Sequence, residues 1–449
     1  MKKECSSGVN KAWKFFLIAT TSLHLVAAQC TSPECVALLS GQKQFDDRET
    51  AETKYVEKIK TTPAPTRIYF PNETQNIKIP SDSFDVKLYQ LMPRATKDQN
   101  LCISPLSVQT LLTYLSTVSE GKLHDELSRL LDLPENQTLV AKTYQMLTQL
   151  PTENTDANNT IIFGNKLYFD ERYGFLKRNV LDSAQRLYAT DLESVDFLLP
   201  SKAADKINSW VSDKTRHLIE NVVNADSLKS NTMALLVSPV YFKSEWENKF
   251  ALYDTTMRPF FLNPRKEIQV ETMYTEDLFR YGSFEQLGAT VLEIPYKLDD
   301  FTMMIILPKD IDGLAEVERR LSEISLKLIS YRLETREVIA KIPKFKIEFE
   351  SDMIQTLQQL GLRSLFNRDS RINIFKHPSE PLVVDQMRHK TVINVNEAGT
   401  EAAATTFAKI VPLSIPVGLV RFTVDHPFIF VIRNSRAVYF MGHVVDFNL

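Results

Sequence analysis

The residues that could carry out bond-making chemistry form no catalytic or metal-binding pattern in this sequence. The seven histidines are scattered, and isolated ones such as His389 and His443 are more often hydrogen-bonded structural residues than bases. No H-E-x-x-H or C-x-x-C motif occurs, and the spacing of the twelve glycines excludes a dinucleotide fingerprint, a phosphate loop and a G-x-S-x-G elbow. A Ser-His-Asp triad has no fixed spacing and is not tested by such patterns, but nothing favours an enzyme, a cofactor or a metal site.

A stretch of small residues near the C-terminus has an unusual composition, NEAGTEAAATTFAKIVPLSIP. In a strand, alternate side chains point to opposite faces. One face would then be small and uncharged, with Thr400, Ala402, Ala404, Thr406, Ala408 and Ile410. The other would hold Glu401, Ala403, Thr405, Phe407 and Lys409. Alanine and glutamate favour a helix, whereas the paired threonines and Pro412 oppose one. Local propensity therefore leaves two conformations open, as expected of a segment with two states.

The composition permits a large core and gives no sign of a nucleic-acid or membrane partner. The chain has 449 residues, of which 43% are hydrophobic and 24% charged, as in ordinary globular proteins. The net charge of −3 gives no electrostatic basis for binding nucleic acid. No stretch approaches the roughly 20 consecutive apolar residues that span a bilayer.

The N-terminus has the features of a secretory signal. Four lysines precede the apolar run FFLIATTSLHLVAA, which ends in small residues suited to cleavage. The apolar run is too short for a membrane anchor. We therefore predict a signal peptide over residues 1–28, a mature chain that begins at Gln29, and an extracellular protein.

The cysteines and the glycosylation sequons fit this location. Cys30 and Cys35 are close enough in sequence to close a small disulfide loop, whereas Cys102 lies in an apolar run and is expected to pack as a buried thiol. The sequence also carries three N-x-T sequons. They predict N-glycosylation at Asn72, Asn136 and Asn158.

The rest of the chain divides into a polar extension and one large domain. Residues 29–80 are polar and rich in proline, and we expect a mobile extension there. From residue 81 to 449 helical patterns dominate early, the longest over 202–223, and β-rich runs dominate late, among them 341–350 and 421–434. Strand runs that follow one another without helices predict an α+β domain with antiparallel or mixed sheets.

Several of these segments resemble the serpin family of serine protease inhibitors, in the same order and spacing. The matching motifs are NLCISPLSV, INSWVSDKT, YFKSEW, VLEIPY, MMIILP, IPKFKIEFE, VNEAGTEAAATT, DHPFIFVIRN and FMGHVVDF. The resemblance implies the serpin fold, with three β-sheets, eight to nine helices and an exposed reactive-centre loop at about residues 397–421.

The resemblance also assigns roles to individual residues. The hinge of the loop would comprise Glu397, Gly399, Thr400, Ala402, Ala403, Ala404, Thr405 and Thr406. The usual spacing from Gly399 places the reactive bond between Leu413 and Ser414, since Lys409 lies too early and Arg421 too late. A leucine suits the hydrophobic S1 pocket of a chymotrypsin- or elastase-like protease.

Two control regions follow from the same resemblance. The breach, where the main sheet opens, would comprise Lys344, Glu397 and Trp246. The shutter, a polar cluster beneath the sheet, would comprise Ser104, Ser107, Ser238 and His389. The family usually has an asparagine where this chain has Ser238, so the hydrogen bonding of the shutter is open at this point. The family also often has a charged residue where this chain has Ala398, and a small residue there should not block insertion.

The function implied is inhibition by covalent trapping. The protease would cleave the bond after Leu413, and the freed loop would then insert into the main sheet. The alternative is a non-inhibitory serpin that carries a ligand or acts as a chaperone, but the small hinge residues favour an inhibitor. The expected partner is a serine protease bound to a monomer. No strong heparin activation is expected, because the candidate helix TLVAKTYQMLTQL carries only Lys142.

Overall fold

The computed structural model describes residues 82–92, 99–153, 158–298, 300–377, 380–400 and 419–447. These residues form nine α-helices, in agreement with the eight to nine expected. The helices are α1 Asp82–Leu91, α2 Pro105–Val118, α3 Lys122–Leu130, α4 Gln137–Glu153, α5 Arg178–Tyr188, α6 Pro200–Lys214, α7 Leu314–Arg320, α8 Leu326–Arg332 and α9 Ile354–Gln359. The predicted signal peptide and N-terminal extension lie outside the described residues.

Helix α2 forms part of the core rather than of the surface. It begins at Pro105, whose fixed φ suits the first turn of a helix, directly after Ser104 in an extended conformation. Twelve of its fourteen residues are buried, so it is covered on nearly all sides, as expected of an interior helix. Its leucines belong to the main hydrophobic cluster, which also includes residues of most strands.

Helix α6 is shorter than its sequence pattern predicts. The pattern continues to Val223, but the helix ends at Lys214. Arg216 and His217 have positive φ angles of 54° and 64°, which a right-handed helix does not allow. The apolar residues beyond this turn, such as Val222, still pack on the same small cluster as the helix. The apolar periodicity therefore predicted which residues are buried, but it did not predict where the helix ends.

The described strands number sixteen. They are β1 Leu101–Ile103, β2 Thr160–Phe163, β3 Asn165–Asp170, β4 Thr190–Val195, β5 Ala234–Glu245, β6 Thr256–Asn263, β7 Lys266–Phe284, β8 Ala289–Pro295, β9 Thr302–Pro308, β10 Glu334–Pro343, β11 Phe345–Asp352, β12 Val384–Asn396, β13 Gly399–Thr400, β14 Val420–Thr423, β15 Phe428–Arg433 and β16 Val438–Val444.

These strands form two hydrogen-bonded networks. The larger follows the order β1-β16-β15-β9-β8-β7-β10-β14, and β6 pairs with β7. The long strand β7 belongs to both halves of this network, since its earlier residues pair with β6 and β10 and its last residues with β8. Divided at β7, the larger network gives two sheets, which together with the smaller network correspond to the three expected.

The smaller network, which contains the candidate site, follows the order β11-β12-β13-β5-β3-β4. Its β12 and β5 run parallel and pair directly from Val384 with Ala234 to Val392 with Tyr241. The neighbouring strands along this order pair antiparallel, with the exception of β3 and β4, which are parallel. We call the line between β12 and β5 the seam.

Two runs that read as continuous strands are each divided in the structure. The run over 341–350 is interrupted at Lys344, and its parts β10 and β11 belong to different networks. The run over 421–434 divides into β14 and β15. Each break occurs where the chain changes its partner strand. Such a change does not alter the alternation of side chains, so the sequence pattern does not reveal it.

Candidate functional site

The first residues of the predicted loop already lie within the seam. Gly399 and Thr400 form β13, which pairs antiparallel with Asn396 and Val395 of β12 on one side. On the other side the same two residues pair antiparallel with β5. The seam is thus closed by direct pairing along most of its length and is occupied by two loop residues at one end.

Gly399 is required by the geometry of this end. Its φ angle of 148° lies in the region that only glycine adopts readily. A Cβ atom at this position would lie 2.1 Å from the carbonyl oxygen of Ser244 and 2.5 Å from the Cα atom of Glu245. Any other residue would push the start of the loop away from β5.

Thr400 is fully buried beneath an aromatic pair. Its hydroxyl lies 2.9 Å from the hydroxyl of Tyr296. The ring of Tyr296 stacks on that of Trp246, with centroids 4.5 Å apart and an angle of 13° between the planes. The Trp246 indole N–H donates to the carbonyl oxygen of Asn396 at 2.9 Å. Trp246 therefore binds the turn that leads into the loop, as its breach assignment implies.

Glu397 makes the predicted ion pair of the breach. Its Oε1 lies 3.4 Å from Nζ of Lys344 and accepts a hydrogen bond from the hydroxyl of Thr255 at 2.9 Å. Lys344 also pairs with Glu271 at 3.1 Å. Burial opposes the charge on Lys344, but the two carboxylates outweigh it and raise the pKa of this lysine above its usual value.

Ala398 lies between these contacts and is buried, with 3% of its surface exposed. Its carbonyl oxygen accepts a hydrogen bond from the backbone N–H of Trp246, and that of Glu397 accepts from Phe250. A charged side chain would have to be desolvated here, which is costly without a partner. The small residue therefore suits a turn that is held by backbone hydrogen bonds.

The shutter residues meet beneath the closed part of the seam. His389 of β12 and Ser238 of β5 are register partners across the seam. Ser107 of α2 lies with its Oγ atom 2.8 Å from that of Ser238. The backbone N–H of Ser104 donates to Nε2 of His389 at 2.9 Å. All four predicted residues are fully buried, so the structure brings them together as expected.

An asparagine does take part in this cluster, from a strand that the sequence did not point to. Asn165 opens β3, and its Oδ1 accepts a hydrogen bond from the Ser107 hydroxyl at 2.8 Å. Its Nδ2 donates to the Ser107 carbonyl oxygen at 3.1 Å. Asparagine is depleted in strands, so an asparagine at the start of a strand was the feature of the sequence that could have indicated a special role for Asn165. Asn165 supplies the amide that the serine at position 238 lacks.

A family model described as Serpin (serine protease inhibitor) matches residues 80–447, most of the chain. The chain belongs to the serpin family. This is a family of protease inhibitors rather than of enzymes, and its inhibitors bind target serine proteases.

The relatives of this serpin include named inhibitors from insects and mammals. Serine protease inhibitor 42Dd of Drosophila melanogaster is 33% identical over 362 residues, which cover 80% of this chain and 95% of that protein. Antichymotrypsin-2 of Bombyx mori is 31% identical over 378 residues, with 83% and 98% covered. Leukocyte elastase inhibitor A of Mus musculus is 33% identical over 375 residues, with 80% and 97% covered.

Solved serpin structures agree with the fold. Serpin48 of the insect Tenebrio molitor superposes with a TM-score of 0.73 at 29% identity, covering 82% of this serpin and 97% of that chain. Cleaved Serpin 42Da superposes with a TM-score of 0.72 at 28% identity, with the same coverage of both chains. The α+β serpin fold is therefore established for residues of the main domain.

His389 is held in the neutral state in the shutter of this serpin. Burial lowers its pKa to about 4, which outweighs the opposite effect of its hydrogen bond to Ser238. Nε2 must be unprotonated to accept from Ser104, so Nδ1 carries the proton and donates to the carbonyl oxygen of Ser238 at 3.0 Å. A second proton, on Nε2, would place that N–H group against the backbone N–H of Ser104.

Other predicted sites lie partly within the described residues. Asn136 and Asn158 are exposed, and the backbone N–H of Leu139 donates to Oδ1 of Asn136 at 3.1 Å. Cys102 is a buried free thiol, as predicted, and burial raises its pKa to about 12. The remaining assignments lie outside the described residues: Ala402, Ala403, Ala404, Thr405, Thr406, Leu413, Ser414, Asn72, Cys30 and Cys35.

Two further kinds of feature are absent from the described part of this serpin. Within these residues, no group of three or more His, Cys, Asp or Glu side chains could hold a metal ion. Likewise, none of the described helices is both long and apolar enough to cross a membrane.

Proposed function

We propose that this serpin inhibits a chymotrypsin- or elastase-like serine protease by covalent trapping and loop insertion. The observation that carries the proposal is β13, which is antiparallel to both strands of a parallel seam. A strand that continues from Thr400 can pair with β12 and β5 at once, in the register that β13 has already set. The loop thus has a defined direction of entry.

The chemistry begins at the reactive bond. The protease serine would attack the carbonyl carbon of Leu413, the bond to Ser414 would break, and the new amine would leave on the C-terminal fragment. The protease then remains as an ester of Leu413. The names Antichymotrypsin-2 and Leukocyte elastase inhibitor A among the relatives support targets that accept a leucine.

Insertion then exchanges one ladder of hydrogen bonds for two. The direct pairing of β12 with β5 along the seam is lost, and the inserted strand pairs with both strands instead. By alternation, Ala402, Ala404 and Thr406 follow Thr400 onto the buried face, where their small side chains need little space. Insertion of 14 residues would move the attached protease by roughly 45 Å at about 3.3 Å for each residue.

The test combines a denaturing gel with mass spectrometry and thermal unfolding. Incubation with chymotrypsin or pancreatic elastase should give a stable band of higher mass, and the released peptide should begin at Ser414. The cleaved form should unfold at a temperature higher by about 10 °C or more, because it gains a ladder of net stabilising hydrogen bonds. A chain that is only cut, without a covalent band, would instead support the non-inhibitory carrier. An unchanged unfolding temperature would rule out insertion.

Secretion and glycosylation belong to the same proposal. The predicted signal over residues 1–28 supports export, and the exposure of Asn136 and Asn158 leaves both accessible to glycosylation. The hydrogen bond to Asn136 uses its oxygen and leaves its Nδ2 atom for a glycan. Treatment of the secreted protein with an N-glycosidase should lower its apparent mass, and an unchanged mass would contradict occupied sequons.

A further inference from the structure

Three basic side chains lie together on the sheet beside the point where the chain continues after the loop. They are Arg258 of β6, Lys341 of β10 and Arg421 of β14. β14 pairs parallel with β10, so that Arg421 is opposite Ile339 and Thr423 is opposite Lys341. Residues two apart in a strand share a face, so Arg421 and Lys341 lie on the same face. We call these three residues the basic patch.

None of the three basic side chains makes an ion pair with a carboxylate of the described residues. Burial and then the two arginines lower the pKa of Lys341, and no carboxylate counteracts them. The Nε atom of Arg258 is buried without a hydrogen-bond partner among the described residues. Like charges held close together repel each other, and a bound anionic surface would relieve that repulsion.

Carboxylates also lie on this face at the margin of the basic patch, since Glu276 and Arg421 are both opposite Ile339 and Glu337 is two residues from it. Tyr274 of β7 is opposite Lys341 and is also within reach of the charge on Arg421. Burial, Glu276 and Asp254 raise the pKa of Tyr274. The side chain of Arg421 is exposed to solvent.

The position of the basic patch brings it within reach of a protease bound to the loop. Leu413 precedes Arg421 by eight residues, so an extended chain separates them by at most about 28 Å. A protease of about 240 residues has a radius of gyration of about 18 Å. The body of a protease bound at Leu413 is therefore large enough to reach the strands that follow the loop. This step rests on the proposed function.

We propose that Arg258, Lys341 and Arg421 form a secondary docking surface for the target protease, which selects a protease with acidic side chains beside its active-site cleft. The attraction acts before contact and so raises the association rate constant. Salt screens it, because the Debye length falls from about 10 Å at 0.1 M to about 3 Å at 1 M.

The test uses chymotrypsin whose catalytic serine is replaced by alanine, so that binding is measured without cleavage or trapping. Its surface lysines are either succinylated, which makes them acidic, or acetylated, which only neutralises them. Biolayer interferometry gives the association rate constants for the wild-type chain and for Lys341→Glu/Arg421→Glu. Lys87→Glu/Arg129→Glu is the control, since it reverses an exposed lysine of α1 and an exposed arginine of α3.

The wild-type chain and the control should bind the succinylated protease about tenfold faster than the acetylated one at low salt, and the ratio should approach one at about 1 M salt. The double reversal should remove this difference, and the milder Lys341→Gln/Arg421→Gln should reduce it. Equal association rate constants for Lys341→Glu/Arg421→Glu and for the control Lys87→Glu/Arg129→Glu would overturn the docking surface. An absence of binding by the wild-type chain would overturn it as well. If the double reversal abolishes heparin binding but leaves the association rate constants for the protease unchanged, the basic patch binds a polysaccharide instead. If the rates change as expected but active chymotrypsin is not trapped, the docking surface stands and the trapping proposal fails.

Discussion

The breach and the shutter, two regions along the seam, are built from different kinds of contact. At the breach, backbone atoms and aromatic rings hold two loop residues between the strands, and a glycine allows the close approach. At the shutter, β12 pairs directly with β5 and polar side chains lie beneath the pair. If the loop inserts as proposed, the breach fixes where insertion starts and in which register, and the shutter controls whether it continues. Substitutions in each region can test this division.

The largest effect is expected from a charge on the buried face of the loop at the breach. Thr400→Arg places a guanidinium where the side chain is fully buried against Tyr296, and an unpaired buried charge costs several kcal/mol. We expect the covalent band with chymotrypsin to disappear while cleavage continues, as measured on a denaturing gel.

Two variants serve as controls for this substitution. Thr400→Ser keeps the hydroxyl and should still form the complex. Thr335→Arg makes the same change at an exposed position of β10 and should leave the complex yield unchanged. Normal complex formation by Thr400→Arg would show that insertion does not pass through this face.

The shutter should open on acidification. The pKa of His389 falls from about 6.5 in the unfolded chain to about 4 in the folded one, so the folded state binds the proton less well. Its contribution to stability is therefore complete above about pH 6.5 and is lost as the pH falls toward 4. The loss is on the order of 3 kcal/mol.

Urea unfolding between pH 7 and 4 measures this contribution. His389→Gln should flatten the pH dependence, whereas His377→Gln, at an exposed histidine, should not change it. If both variants follow the wild-type pH profile, protonation of His389 does not control the shutter.

Asn165 should matter because it completes the shutter. Asn165→Ala removes the acceptor of the Ser107 hydroxyl and leaves the Ser107 carbonyl oxygen without its amide partner. We expect a loss of about 2 kcal/mol in the free energy of unfolding in urea. Asn179→Ala, at an exposed position of α5, is the matched control and should change stability by less than about 0.5 kcal/mol. An equal effect of both substitutions would exclude Asn165 from the shutter.

The smallest effect is expected at the ion pair of the breach. Lys344→Met removes a lysine that is partly exposed and 3.4 Å from Glu397, and Thr255 remains as a partner of that carboxylate. Solvent screening limits the loss to about 1 kcal/mol in urea unfolding. Lys346→Met, which breaks an exposed pair with Glu348, should cost less. A loss well above the expected value would mean that this pair, rather than the backbone contacts, holds the breach.

The shutter shows which residues of a site can be identified from the sequence and which cannot. Ser104 and Ser107 could be named from the sequence because they lie in the motif NLCISPLSV, and His389 because the family resemblance assigns it, and the structure brings them together. Asn165 could not, because its partner Ser107 lies 58 residues earlier and only the packing of α2 on β3 joins them. The end of α6 at Lys214 was missed for a related reason, since the apolar pattern continues past the turn.

The sequence alone determined the local properties of this serpin. The small face that starts at Thr400, the glycine at 399 and the helical and strand periods all follow from side-chain size and backbone freedom, which are properties of neighbouring residues. Only the tertiary structure decided the parallel pairing of β12 with β5, the seat of β13 between them and the meeting of Arg258, Lys341 and Arg421. Those depend on which strands become neighbours, and that is set by the burial of the whole core rather than by any one segment.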